Sequence, residues 1–91
     1  MCTMIVENAQ VAGSGMGRKG WFKLAQATVS FDHPSNAAYD YSLNIDFVND
    51  TLGLDARVAV ELSPESARRL VEAIGIALER GEAEVGSTST V

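Results

Sequence analysis

The stretch that decides the fold runs Val11-Ala12-Gly13-Ser14-Gly15-Met16-Gly17-Arg18-Lys19-Gly20-Trp21-Phe22-Lys23-Leu24-Ala25-Gln26-Ala27-Thr28-Val29-Ser30-Phe31. Within it, Gly15 to Gly20 matches the dinucleotide fingerprint GxGxxG, whose third glycine opens a helix that holds a pyrophosphate on its first N–H groups. The residues after Gly20 contradict that role. Trp21 to Phe31 is rich in aromatic and β-branched types and has no N-cap, which is a strand. The match therefore lies between two strands, and NAD is excluded as a cofactor on that ground. Lys19 is followed by Gly20 and not by Ser or Thr, so no Walker loop is present either. What remains is a flexible hairpin loop whose glycines supply positive φ, with a weaker reading as an anion-binding nest beside Arg18 and Lys19.

Outward from that loop, apolar alternation predicts strands over 2–12, 21–33, 39–48 and 56–62. A helix follows: Ser63 is a good N-cap, Pro64 suits the first helical position, and Glu65 favours the positive end of the dipole. Ala67, Leu70, Val71, Ile74, Ala77 and Leu78 recur at helical spacing, Arg80 complements the negative end, and Gly81 is the natural stop. One ββββα domain over 1–81 is predicted, with 82–91 a disordered polar tail. The fold class is α+β: a four-stranded antiparallel meander with one C-terminal helix packed on one face.

Register follows from keeping apolar residues on one side. Pairing Val29 with Leu43, Ala27 with Ile45 and Phe31 with Tyr41 leaves 34–38 as the turn and places Asp32 opposite Asp40. Setting Asp46 against Arg57 aligns the fourth strand and puts Ile45 beside Val58. Strand one then adds Cys2, Met4 and Val6 to the helix side. The other face is a polar lattice of Gln26, Thr28, Ser30 and Asp32 with Ser42, Asn44 and Asp46. Nearer the glycines it turns apolar, with Ile5, Ala9 and Val11 close to Phe22 and Leu24. One helix, about 10 Å wide, covers roughly two strands, so a homodimer is predicted to cover the rest.

Composition narrows the function classes. The chain has 91 residues, 46% hydrophobic and 21% charged, and a net charge of −5, which disfavours nucleic-acid and anionic-membrane partners. No apolar run is long enough to span a bilayer, and a single cysteine fits a reducing, cytoplasmic setting.

Four places carry candidate chemistry. Asp32, His33 and Asp40 come first: opposed carboxylates beside the only histidine suit a divalent cation or shared-proton acid–base catalysis, against a solvated strand end. Ser30, Ser42 and Asn44 offer hydrogen bonds to a small polar ligand, with Phe22 walling one side. Cys2, if Met1 is removed, joins a thiol to a free α-amine, although its position reads more simply as core. The glycine loop is the fourth.

The blocks Met1-Cys2-Thr3, Gly13-Ser14-Gly15-x-Gly17-x-x-Gly20-Trp21-Phe22, Asp32-His33-Pro34 and Leu43-Asn44-Ile45-Asp46-Phe47 together resemble a family of short bacterial proteins of unknown function. The resemblance spans Met1 to about Gly81 and implies no activity. It implies a metal site through further histidines after the Asp-His-Pro step, where this chain has Asn36 and Asp40-Tyr41, so only Asp32 and His33 match. The favoured function is a homo-oligomeric binding protein holding a small polar ligand or cation near the second hairpin. The alternatives are a small enzyme using a carboxylate pair or His33 for acid–base chemistry in a site completed across the dimer, and an accessory or structural partner protein without a small-molecule site.

Overall fold

A computed structural model describes residues 5–33 and 40–86. Four strands, β1 (Ile5–Gly17), β2 (Gly20–Asp32), β3 (Ser42–Val48) and β4 (Arg57–Leu62), form one antiparallel sheet in the order β1-β2-β3-β4. A 3-10 turn, Asp50–Leu52, joins β3 to β4, and one helix, α1 (Pro64–Glu84), follows. The molecule is the predicted α+β meander with a C-terminal helix.

The glycine run is strand, not loop. β1 continues to Gly17, Gly17 pairs with Gly20, and only Arg18 and Lys19 make the turn. Neither has a positive φ, so the reversal falls on Gly20 at φ 117°. A shift in pairing between Gln10 and Gly13 adds a bulge, which bends the hairpin. Its end curls against the start of β4. Asn49 Nδ2 donates to the Lys23 carbonyl at 2.9 Å, and Lys19 Nζ lies 3.1 Å from Asp55 Oδ2.

The short turn and the bulge also move strand one by three residues from the expected register. Ile5, Glu7 and Ala9 face Phe31, Val29 and Ala27, while Val6 joins Asn8 on the polar side. An odd shift exchanges faces, so the placement of Val6 on the helix side is corrected, as is that of Ile5 and Ala9 on the other. Cys2 and Met4 lie outside the described residues. In the second hairpin the shift is two: Val29 pairs with Ile45, Phe31 with Leu43, and Asp32 with Ser42. An even shift keeps every face and is invisible to alternation; here it lengthens the connection between β2 and β3. β4 is also displaced by two, with Phe47 opposite Val58. Arg57 still reaches Asp46 diagonally, at 2.6 Å from Nη2 and 2.8 Å from Nε.

Ser63 caps α1 by accepting from the Ser66 N–H at 3.1 Å. The helix does not stop at Gly81. It runs to Glu84, and Gly86, at φ 73°, supplies the left-handed step after the Val85 cap. Arg80 is thereby left behind the last turn, which carries Glu82 and Glu84 instead. None of the helix residues is buried. Only Ala27 and Ala56 are buried apolar residues among those described, so the sheet's apolar face is barely covered. The first half of α1 stands over that face and walls an open groove of about 340 Å³.

Candidate functional site

The far end of the second hairpin gathers most of the candidate residues. β2 delivers Phe31 to the apolar side and Asp32 to the polar side, and the chain leaves the sheet at His33. The Tyr41 ring stacks on Phe31, with centroids 5.6 Å apart and planes at 10°. The His33 imidazole stacks in turn on Tyr41 at 4.9 Å. His33 Nδ1 lies 2.9 Å from the Asp40 carbonyl oxygen, an acceptor only, so Nδ1 carries a proton and donates it to this bond, leaving Nε2 outside it. The Asp32 carboxylate accepts the His33 backbone N–H at 2.8 Å through Oδ1. The ring is thus fixed by one hydrogen bond and one stacked face while remaining exposed.

Asp32 and Asp40 do not form the opposed pair. Asp32 lies across from Ser42, and Asp40 engages His33 through its backbone carbonyl. Among the described residues, no group of three His, Cys, Asp or Glu side chains is placed to hold a metal ion. Asp32 belongs to the polar face by alternation, whereas the His33 ring continues the aromatic stack of the apolar face.

The polar lattice is tied together in two hydrogen-bonded clusters. Ser42 is completely buried; its hydroxyl donates to Asn44 Oδ1 at 2.6 Å and lies 3.3 Å from the Asp32 carbonyl. Asn44 Nδ2 reaches Ser30 Oγ at 3.5 Å. Farther along, Thr28 donates to Asn8 Oδ1 at 2.9 Å, and Gln26 donates to both. These contacts fasten β1, β2 and β3 together on their solvent side. Phe22 is not part of this group. It lies ten positions along β2 from Asp32, about 33 Å of strand. It lines a small hollow with Trp21, Leu52 and Ala56 at the other end. Tyr41 is the functional residue that alternation does not reveal, because it pairs Tyr41 with Phe31 in the sheet and gives it no link to His33. An aromatic eight residues beyond a lone histidine was its only signal.

These features define a small single-helix meander domain with a preorganised, exposed histidine at one end. The chain belongs to a family of unknown function (DUF6295), whose model matches residues 1–87. No curated protein and no solved structure matches it. Among the described residues, no helix is long and apolar enough to cross a membrane.

Proposed function

We propose that this protein is a homo-oligomeric binding module that holds a small polar ligand or cation at the exposed end of β2 and β3, in a reducing, cytoplasmic setting. One observation carries the reading: the His33 ring is held at Nδ1 by the Asp40 carbonyl and on its face by Tyr41. Fixing one nitrogen on a backbone carbonyl is how proteins present the other, with its lone pair, to a cation or a proton-bearing group. Ordering the ring beforehand reduces the entropy lost on binding. The Asp32 carboxylate, one residue away, adds negative charge at the same end.

Because His33 is the only histidine, its imidazole proton signals are unambiguous in one-dimensional NMR. Zinc chloride titrated into the protein is expected to shift those signals saturably, and native mass spectrometry to report a retained ion or ligand that His33→Ala loses. Signals unmoved by zinc, together with a bare mass after native purification, overturn the reading. They leave the alternative favoured by the exposed apolar seam of α1, an accessory partner protein with no small-molecule site. The catalytic alternative, acid–base chemistry by a carboxylate pair or by His33 in a site completed across the dimer, keeps only its His33 form, because the register places Ser42 and not Asp40 opposite Asp32.

A further inference from the structure

The groove of about 340 Å³ between α1 and the sheet takes Val29, Phe31, Leu43 and Ile45 from the sheet, and Leu70 and Ile74 from the helix. Every side chain lining it is apolar except one, Arg68. Its size and the chemistry of its walls limit what it can hold. A helix is about 10 Å across, so this volume takes less than one turn of it. An extended peptide carries an N–H and a C=O at every residue, and apolar side chains leave both unpaired, at about 1–3 kcal/mol for each group. An unbranched hydrocarbon chain meets neither obstacle. At roughly 30 Å³ for a group the size of a water molecule, the groove has room for about ten methylene-sized groups.

Arg68 adds a complement for a head group. Among the described residues the ion pairs are Lys19–Asp55, Asp46–Arg57 and Glu65–Arg69. The Arg68 guanidinium is therefore uncommitted. It is also exposed, so a carboxylate paired with it stays at the water surface while the attached tail is buried. Glu72, four residues farther along α1, is at the spacing to compete for the same cation.

We propose that the groove binds a straight-chain monocarboxylate of about ten carbons, with its tail between α1 and the sheet and its carboxylate on Arg68. The site is separate from His33, which does not line it, and it uses only the first half of α1, leaving Leu78 and Val85 outside it.

Isothermal titration calorimetry of the full chain with decanoate, kept below its micelle-forming concentration, tests the assignment. Saturable binding at one site per chain is expected. Arg68→Gln should weaken it at least about tenfold by removing a charge-assisted pair, and should leave the binding of decanol unchanged. Glu72→Gln should tighten it by removing the competitor for Arg68. Val71 lines the groove and is 71% exposed, so the fold tolerates a charge there; Val71→Glu should abolish the binding of both ligands. His33→Ala should bind decanoate as the parent does, which separates the fate of this site from that of the His33 reading. No saturable binding, or decanoate affinity unchanged by Arg68→Gln or by Val71→Glu, overturns the inference.

Discussion

Replacing Gly17 by alanine tests whether the glycine run is a packed strand or a loose loop. A methyl group at this position would sit 2.8 Å from Phe22 Cε1 and 2.9 Å from the Asp55 carbonyl oxygen. The ring can turn away. The carbonyl cannot move independently, because its segment is tied by the Asn49 N–H to Ala56 carbonyl bond at 3.2 Å, the Ala56 N–H to Gly53 carbonyl bond at 3.3 Å, and the Lys19–Asp55 bridge. Relief therefore requires the hairpin end to draw back from β4 by several tenths of an ångström. Overpacking of this kind costs about 1–3 kcal/mol. Alanine returns about 0.5–1 kcal/mol by restricting the unfolded chain. With two contacts under 3.0 Å the upper half of the overpacking range applies, and the net loss, about 1–2.5 kcal/mol, corresponds to a Tm lower by roughly 4–20 °C for a domain of this size. Thermal unfolding by circular dichroism, at one fixed protein concentration, reads it directly. Gly15→Ala is the comparison, since its nearest neighbour at 3.1 Å is the flexible end of Leu24. A smaller loss is expected there. A Gly17→Ala protein as stable as the parent would refute the packed-strand account and restore the flexible loop.

Other consequences can be checked alongside it. Ser42→Ala removes the donor to Asn44 Oδ1 from a fully buried position and is expected to cost about 1–3 kcal/mol in denaturant unfolding; an unchanged midpoint would show that the network is dispensable. Ser63→Ala strips the α1 cap and should cost about 1 kcal/mol with a visible loss of helical signal, unless Ser66 substitutes for it. Breaking the Asp46–Arg57 pair with Asp46→Asn is expected to cost no more than about 1 kcal/mol, a difference that shrinks in high salt. If the loss were instead independent of salt, packing and not charge would be its cause. Tyr41→Ala should release the His33 ring, visible as a change in its imidazole resonances and weaker zinc binding; identical spectra would deny the stack any positioning role.

Alternation carried the architecture because each strand has one apolar side, and Ser63-Pro64-Glu65 announced the helix start through its own chemistry. What alternation could not carry was register. The pairing of Val29 with Ile45 instead of Leu43 preserves both faces, so nothing in the pattern distinguishes the two. That single step separated Asp32 from Asp40 and dissolved the proposed carboxylate pair. In the first hairpin the glycines predict a loop, whereas Gly17 serves close approach to the Asp55 carbonyl, a tertiary requirement with no local signature. Gly81 misled similarly: a helix ends where the chain can leave it, and Gly86 offered the left-handed step. His33 was legible as the only histidine, but its partners were not, because Tyr41 and the Asp40 carbonyl reach it across a connection whose length the sequence leaves open.

The central claim is that this chain completes its core with a second copy of itself. Sedimentation equilibrium across about 1 to 100 μM measures it directly, since assembly depends on protomer concentration. The account predicts a single species of twice the 9.7 kDa chain mass, with unfolding temperatures that rise with protein concentration. A 9.7 kDa species throughout, with a Tm independent of concentration, would contradict it.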